Sequence, residues 1–476
     1  MNFDLPAVVD PAKIEKRYAS TVDTSDLKPQ QLIAFNKLHR FVTETSGGMI
    51  VLLGYAGTGK TRTINKFVEH YLSVNRSANV CMTAPTNKAV RVMQNFADYY
   101  HSNLSYRTIH SLLGLKEVID DFGKQTFARD PKEPSKMEEV NLLILDEVSM
   151  LRDELFMYLP EYVAKGLQIV FVGDPCQINP IGAMESMPLN EIVRKEYGME
   201  VIELTEIIRQ AEGNPLIETT LTIRENMNRP DALPLKESKM VGNSGVAFFG
   251  GGDGNLLESI LHKYYTSENF KVNSDFVKII AWTNKAVHTM NMHIRNYVFD
   301  NPSQKIVVGE RLLADKPIIN ELDQKILFTT NDEFIVRDLV IKSEAVDGLG
   351  ELKHYEAQVE CFDYKEPRKA TIRIIHESSE DLHKKIIDQL RAVALSKPPG
   401  SFFRKEAWGN YFEFMNYYAD VKHCYAVTCH KSQGSTYDTA IVFEGNIDMN
   451  RKTLERNRLK YTAFSRPSRL LIVVNS

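Results

Sequence analysis

The fold is decided by the stretch Met49-Ile50-Val51-Leu52-Leu53-Gly54-Tyr55-Ala56-Gly57-Thr58-Gly59-Lys60-Thr61. Five apolar residues predict a buried strand, and the next eight follow the pattern of a phosphate-binding loop that opens a helix. In such a loop glycines let backbone amides face phosphates, the lysine reaches the β- and γ-phosphates, and the hydroxyl after it binds Mg²⁺. The predicted nucleotide-binding residues here are Gly54, Ala56, Gly57, Thr58, Gly59, Lys60 and Thr61.

Short apolar runs, each with a polar cluster at its carboxyl end, recur along the rest of the chain. One series lies at 80–84, 142–145 and 168–172, and a second lies at 277–282, 425–428, 439–443 and 470–474. Helical segments separate the runs, which predicts parallel, doubly wound sheets that bind ligands at the carboxyl ends of their strands. The sequence therefore predicts an α/β protein with two lobes, each with an insertion.

Length and composition agree with a globular protein of several domains. The chain has 476 residues, 43% of them hydrophobic and 25% charged. A net charge of -4 creates no global field for a polyanion, so any nucleic-acid contact must lie in a local channel. No apolar run approaches the roughly 20 residues of a membrane span, and the five cysteines lack metal-ligand spacing, so we expect a cytoplasmic protein with reduced thiols.

Two acidic residues complete the predicted nucleotide site. Asp146 and Glu147 directly follow the run at 142–145, where Asp146 would hold Mg²⁺ together with Thr61, and Glu147 would act as general base on the attacking water. Gln177 follows the run at 168–172 and is assigned as the sensor of the γ-phosphate. An Asp-Glu pair at a strand end is common alone, but behind a phosphate loop it indicates phosphoryl transfer.

A specific resemblance appears when the motifs are read in order. The chain contains GYAGTGKT, TAPTNKAV, TIHSLLG, LDEVSM, FVGDPCQINPI, ELTEIIRQ, IIAWTNKAV, VTCHKSQGST and YTAFSRP, spread between Leu27 and Ser476. This set resembles superfamily 1 helicases, in particular the 5′-to-3′ branch with RecD-like and phage Dda-type enzymes, and its spacing is similar to that of the Dda type. The ordered set is far more specific than any single block.

The resemblance implies two RecA-like P-loop NTPase lobes with ATP and Mg²⁺ between them. It selects Arg209 and Arg466 as the cations that neutralise the breaking phosphate bond, Gly434 as a second-lobe nucleotide contact, and Gln31, with Gln30 as a rival, as the adenine-reading side chain. The expected organisation is a tail at 1–25, lobe 1A at 26–114 and 141–215, a pin domain 1B at 115–140, lobe 2A at 216–306 and 422–476, and insertion 2B at 307–421.

Other family blocks predict a groove for single-stranded DNA. Its candidate residues are Pro85, Thr86, Asn87, Thr108, His110, Thr283, Asn284, Thr428, His430 and Lys431. Short hydroxyls, amides and basic groups can bind phosphate and sugar without reading base sequence. For each residue alone, a strand-end cap or turn is nearly as well supported, and Trp282 fits core packing slightly better than base stacking.

The two insertions are interpreted from the resemblance. A β-hairpin at 115–129 is expected to form the pin that splits the duplex, with Phe127 as its aromatic wedge and Phe122 as the rival. Ordinary hairpin packing of Phe127 is about equally supported. Insertion 2B is expected to be an SH3-like β-barrel with an appended arm.

The motifs leave three candidate functions. A DNA helicase that unwinds duplexes while moving 5′-to-3′ on single strands fits best. A translocase or remodeller without strand separation shares every nucleotide residue and differs only in the pin, whereas a small-molecule kinase needs neither Arg466 nor the groove. The expected partners are single-stranded and forked DNA, with single-strand-binding or replisome proteins. The protein is expected to act as a monomer in the cytoplasm, which for a phage protein is that of the host, and to serve DNA replication, recombination or repair.

Overall fold

The computed structural model describes residues 22–97, 99–119, 125–129, 134–180, 182, 185–206, 214–233, 236–250, 253–300, 302–320, 326–346, 350–361 and 367–475. The chain divides into two compact units, one of residues 1–115 and 129–212 and the other of residues 116–128 and 213–476. Most of the expected tail, 1–21, lies outside the described residues.

The first eight strands build the sheet of the first unit and a separate hairpin. They are β1 (Gly48–Gly54), β2 (Val80–Ala84), β3 (Leu104–Thr108), β4 (Leu115–Ile119), β5 (Gln125–Arg129), β6 (Leu142–Leu145), β7 (Gln168–Gly173) and β8 (Glu200–Leu204). Six of them form one parallel sheet in the order β3-β2-β6-β7-β1-β8, while β4 and β5 pair with each other. Buried parallel strands are apolar along their whole length, which is why β1, β2, β6 and β7 could be predicted from continuous runs.

One helix before β1 and several between the later strands pack around the sheet. They are α1 (Pro29–Glu44), α2 (Lys60–Val74), α3 (Asn87–Asn95), α4 (Ile109–Leu112), α5 (Asp153–Phe156), α6 (Leu159–Val163) and α7 (Glu191–Glu196), with 3₁₀ turns at Met137–Glu139, Val148–Met150 and Met187–Leu189. Helix α1 begins at a proline, whose missing amide hydrogen costs nothing in a first turn, and buries Ala34, Phe35 and Leu38 against the core.

A buried histidine pair lies where α1 meets α2. His39 and His70 have ring centroids 5.0 Å apart, and Phe35 packs on His70 at 5.4 Å. Burial lowers the pKa of both imidazoles below the ordinary 6.5, and His39 lowers that of His70 further. Both rings are therefore neutral in the folded protein at pH 7.

This pair predicts a loss of stability in acid. The unfolded chain binds protons at the ordinary histidine pKa, whereas the folded chain binds them only at lower pH. The contribution of the pair to the free energy of unfolding is therefore fully present above about pH 6.5. It is lost as the pH falls toward the lowered pKa values of the folded chain. We expect the thermal midpoint of the native chain to fall by a few degrees between pH 7.5 and 5.5, and that of His70→Leu to fall less. The exposed His288→Leu is the control. Identical pH dependence in His70→Leu and the native chain would contradict the prediction.

The second unit contains a sheet of the same type and an antiparallel insertion. Its strands are β9 (Lys239–Val241), β10 (Ser244–Phe249), β11 (Val277–Ala281), β12 (Arg311–Ala314), β13 (Ile318–Ile319), β14 (Ile326–Phe328), β15 (Glu333–Val346), β16 (Gly350–Cys361), β17 (Arg368–Ile375), β18 (Val421–His423), β19 (Ala426–Thr428), β20 (Tyr437–Phe443) and β21 (Pro467–Val474). The main sheet has the order β19-β11-β20-β21-β10-β9, and within it β9 pairs antiparallel while the other pairings are parallel.

The helices of the second unit divide between the main sheet and the insertion. They are α8 (Pro215–Glu225), α9 (Gly254–Tyr265), α10 (Glu268–Val272), α11 (Asn284–Phe299), α12 (Glu380–Ser396), α13 (Phe402–Tyr417), α14 (Cys429–Ser432), α15 (Glu444–Asp448) and α16 (Thr453–Phe464), with a 3₁₀ turn at Glu377–Ser379. The insertion forms the antiparallel sheet β17-β16-β15-β12-β18, the pair β13-β14 and the helices α12 and α13.

The predicted fold class, two parallel-sheet α/β lobes with insertions, is confirmed. The insertion contains the long strands β15, β16 and β17, in the region expected to form a β-barrel. An antiparallel sheet is present there, but its assignment as an SH3-like barrel stays a prediction, as do the domain boundaries. In the described part of the chain no helix is both long and apolar enough to span a membrane.

Candidate nucleotide and nucleic-acid sites

The parallel register brings the predicted nucleotide residues to one edge of the first sheet. Leu53 of β1 pairs with Gly173 of β7, and Leu145 of β6 pairs with Phe171, so these three strands end together. The phosphate loop follows β1, Asp146 follows β6 and the segment with Gln177 follows β7. Carboxyl ends of parallel strands are where such sheets bind ligands.

The phosphate loop wraps around the side chain of Lys60. Lys60 Nζ donates to the carbonyl oxygens of Gly54 at 2.6 Å and Tyr55 at 3.0 Å. Gly59 precedes α2 with φ of 80°, a conformation that residues with a side chain rarely adopt. A Cβ on Gly54 would lie 2.6 Å from Thr58 Oγ1, so the loop has no room for a side chain there. The expected strand-loop-helix context is confirmed, while the nucleotide contacts stay a prediction.

The two neighbouring glutamines contact different segments. Gln31 is buried, its Nε2 donates to the carbonyl oxygens of Thr58 and Gly59 at 3.4 and 3.3 Å, and its Oε1 accepts from Lys28 N. Gln30 Oε1 accepts from the backbone amides of residues 205 and 206, both at 2.9 Å. Gln31 is thus the glutamine that touches the phosphate loop, which favours it over Gln30, and adenine reading stays a prediction.

Thr61 and Asp146 offer the oxygen ligands expected for Mg²⁺. Burial raises the pKa of the Asp146 carboxyl, against the lowering effects of the Glu147 amide, which donates to Asp146 Oδ1 at 2.8 Å, and of the positive charge on Lys60. Among the described residues no three His, Cys, Asp or Glu side chains form a metal-binding group. A Mg²⁺ ion that arrives with nucleotide phosphates and keeps several waters needs only one hydroxyl and one carboxylate, so these two side chains fit it.

Glu147 has a strained backbone. Its φ of 53° and ψ of 41° are left-handed, which is uncommon for a residue other than glycine. Strained residues persist where the surrounding structure holds them, and they concentrate at active sites. This geometry supports the general-base hypothesis without testing it.

Gln177 lies close behind β7 with its side chain buried. It is 5% exposed, and its Oε1 has no hydrogen-bond partner among the described residues. Buried polar atoms are nearly always satisfied, so this oxygen is suited to a bound water or ligand. Arg209, the other cation expected in this unit, lies outside the described residues.

Arg466 is held within the second unit. It is 6% exposed, and its Nε, Nη1 and Nη2 donate to Thr462 O at 2.9 Å, Ser435 O at 3.3 Å and Ser465 Oγ at 3.0 Å. Gly434, in the left-handed region with φ of 71°, directly precedes Ser435. The expected contacts of Arg466 and Gly434 with a nucleotide stay predictions.

Four of the candidate DNA-binding residues are threonines that cap helices at strand ends. The hydroxyl oxygens of Thr86, Thr108, Thr283 and Thr428 accept from the backbone amides of Ala89, Ser111, Ala286 and Lys431. The cap interpretation is therefore confirmed for all four. A capping oxygen only accepts, so the hydroxyl hydrogen can still be donated to a phosphate, and the two interpretations are compatible.

The neighbouring candidates differ in charge and exposure. Burial lowers the pKa of His110, with help from Arg152, and also that of His430, where Glu455 opposes it. Both imidazoles are neutral at pH 7 and can bind a strand by hydrogen bonds without charge. Pro85 and Asn87 are half-buried beside Thr86, and Asn284 is exposed.

Sequence reasoning missed Asn446, which fixes one of these turns. Asn446 Oδ1 accepts from the backbone amides of Trp282 at 2.8 Å and Thr283 at 3.0 Å, and its Nδ2 donates to Thr283 Oγ1 at 3.2 Å. The residue lies in α15, in none of the recognised blocks, so no local signal could have found it. Trp282 is half-buried, which leaves both of its interpretations open.

The expected wedge residue lies in the hairpin of β4 and β5. Phe127 belongs to β5 and is 41% exposed, whereas its rival Phe122 lies outside the described residues. An exposed aromatic ring on a hairpin suits stacking on a base pair. Its role as a wedge stays a prediction.

Two family models match the chain. Residues 26–242 match an AAA domain, and residues 423–474 match the C-terminal domain of UvrD-like helicases.

Three of the similar proteins match most of the chain. An uncharacterised protein of Acanthamoeba polyphaga mimivirus is 25% identical and covers 93% of this chain and 98% of its own. The ATP-dependent DNA helicase dda of Enterobacteria phage T4 is 26% identical over 88% of this chain and 92% of its own. A Pif1 helicase structure that describes unwinding of forked duplex DNA has a TM-score of 0.51 at 16% identity, over 94% of this chain and 92% of the other, and shows the same fold.

Proposed function

We propose that this chain, which belongs to the superfamily 1 helicases of the Dda and Pif1 type, is an ATP-dependent DNA helicase that moves 5′-to-3′ on single-stranded DNA. The observation that carries the proposal is the repeated placement of motif residues at the carboxyl edge of two parallel sheets. In the first sheet these residues follow β1, β2, β3, β6 and β7, and in the second they follow β11 and β19. A small-molecule kinase does not require the motif residues that follow β11 and β19.

The nucleotide chemistry is assigned to side chains of the first unit. Lys60 neutralises the β- and γ-phosphates, Glu147 accepts a proton from the attacking water, and Gln177 orients that water through its buried Oε1. Thr61 and Asp146 would hold Mg²⁺, which when bound would supply positive charge that stabilises the phosphate oxygens. Arg209 and Arg466 are the proposed cations for the transition state, and Gln31 and Gly434 are the proposed contacts of adenine and phosphate.

The capping threonines and neutral histidines are assigned to the DNA strand. Their hydroxyl and imidazole groups bind phosphate and sugar, which are the same in every sequence. Lys431 adds one positive charge, and asparagines 87 and 284 add amides. We infer that the chain binds single-stranded and forked DNA as a monomer and without base specificity. Replisome and single-strand-binding proteins are its candidate partners.

The polarity is tested with partial duplexes that carry a single-stranded tail of either the 5′ or the 3′ type. Displacement of the labelled strand from the 5′-tailed substrate, with little from the 3′-tailed one, is the expected result. The reverse preference would overturn the 5′-to-3′ assignment.

The wedge hypothesis predicts a separation of functions in Phe127→Ala. The variant should retain its DNA-stimulated ATP hydrolysis, because Phe127 is none of the residues assigned to nucleotide chemistry. It should unwind duplexes about tenfold more slowly, since base-aromatic stacking contributes roughly 1–3 kcal/mol. Phe96→Ala, which removes a 55% exposed ring elsewhere, is the matched control. Equal unwinding by Phe127→Ala and the native chain would remove the wedge assignment.

A further inference from the structure

An acidic side chain of the insertion holds a candidate DNA-binding lysine. Asp315 follows β12, and its Oδ1 accepts from Lys431 Nζ at 2.6 Å while its Oδ2 lies 2.6 Å from Lys422 Nζ. The backbone amide of Asp315 donates to Asp420 O at 2.8 Å, which fixes the carboxylate at this corner. One carboxylate thus binds two ammonium groups, one from β18 and one from α14.

The Asp315 carboxylate and its contact with Lys431 are mostly buried, whereas Lys422 is exposed. Asp315 has a side-chain exposure of 19%, against 31% for Lys431 and 56% for Lys422. Burial alone would raise the pKa of Asp315, but hydrogen bonds from Lys422 and Lys431 outweigh it and hold the pKa below its ordinary value. The carboxylate is therefore ionised at pH 7.

To a lysine ammonium group, the two oxygens of a carboxylate resemble the two non-bridging oxygens of a phosphate diester. Both are anionic acceptors that form short charge-assisted hydrogen bonds with ammonium groups. A strand that reaches Lys431 must therefore displace Asp315 or share the lysine with it.

We propose that Asp315 is a positioning residue that competes with DNA phosphate for Lys431 and Lys422, and so limits how tightly the second unit holds the strand. The inference rests on the proposed function, because it takes Lys431 as a contact of single-stranded DNA. Weak, exchangeable contacts suit a motor, which must release each phosphate before it can step. The carboxylate supplies a partner for the lysines between contacts, so that they need not remain on the strand.

The test is the salt dependence of binding to a fluorescent oligothymidylate of about 20 nucleotides, compared between the native chain and Asp315→Asn. Asparagine keeps the size and the backbone contact but removes the charge. We expect the Kd of Asp315→Asn to fall about 5- to 10-fold near 0.1 M salt. The slope of log K against log salt should become steeper by about 0.7 for each lysine released to a phosphate.

Asp420→Asn is the matched control, because it removes an equal charge from the same corner. Its carboxylate lies 3.6 Å from Lys316 and not against Lys431. The proposal requires a salt slope close to that of the native chain for this variant. An equal steepening in Asp420→Asn would mean that net charge, and not the contact of Asp315, sets the slope, and would overturn the proposal.

Thermal unfolding would reveal whether Asp315→Asn folds poorly. In that case a charge-balanced variant provides a second test. Asp315→Asn combined with Lys422→Met removes one acid and one base, and it should bind the oligonucleotide severalfold more tightly than Lys422→Met alone. Unchanged or weaker binding when Asp315 is neutralised would show that the contact is only structural. If the native chain binds no oligothymidylate, both the proposed function and this inference fail, whereas native binding with no effect of Asp315 overturns this inference alone.

Discussion

Lys60→Ala is expected to lower ATP hydrolysis about 10³-fold or more. The loop wraps around the side chain of Lys60, whose Nζ donates to the carbonyl oxygens of Gly54 and Tyr55. Without Lys60, no ammonium group of this residue neutralises the charge of the β- and γ-phosphates in the transition state. A 10³-fold slower rate corresponds to a barrier higher by about 4 kcal/mol. Steady-state hydrolysis with saturating single-stranded DNA measures the effect.

A second lysine in the same helix provides the control. Lys66 lies further along α2 and pairs with Asp26 at 4.0 Å, so Lys66→Ala removes the same charge without touching the loop. Its hydrolysis rate should stay within about twofold of the native rate, because the pair is long and partly exposed and Lys66 does not contact the phosphate loop. Substantial turnover by Lys60→Ala would contradict the phosphate-loop assignment.

Glu147→Gln should separate nucleotide binding from hydrolysis. The amide keeps the size of the side chain but cannot accept a proton from water, so the rate should fall about 10²- to 10⁴-fold, the usual contribution of a general base. Nucleotide affinity should change little, since Lys60 and the loop are intact. Single-turnover hydrolysis and binding of a fluorescent ATP analogue, measured together, distinguish the two effects.

The exposed Glu154→Gln is the control for charge loss near the same strand. A native hydrolysis rate in Glu147→Gln would assign the base elsewhere. Equal loss of binding and hydrolysis would instead indicate that the substitution disturbs the strained backbone at φ of 53°.

The core strands could be predicted from sequence because burial on both faces leaves a continuous apolar run. β2 and β6 begin and end at the predicted residues 80–84 and 142–145. β3 and β8 were missed, because they lie at the edges of the sheet and polar residues interrupt their apolar pattern, such as the half-buried Ser105 and the exposed Glu203.

The candidate sites could be predicted only where the residues belong to a local motif. The phosphate loop and the Asp146-Glu147 pair are contiguous in sequence, so spacing alone indicates their chemistry. Asn446 lies 163 residues from Thr283, and Asp315 lies 116 residues from Lys431, so only the folded chain brings these pairs together. The choice between Gln30 and Gln31 likewise needed the contact of Gln31 with the loop.

The most direct measurement follows strand separation and ATP hydrolysis in the same reaction, on a forked duplex with a 5′ tail. The central claim, that hydrolysis at Lys60 and Glu147 drives movement along a strand, predicts separation with ATP and none with a non-hydrolysable analogue. In Glu147→Gln it predicts that separation slows by the same factor as hydrolysis. Vigorous DNA-stimulated hydrolysis without separation of the 5′-tailed fork would contradict the helicase assignment, and separation at the native rate in Glu147→Gln would contradict the coupling.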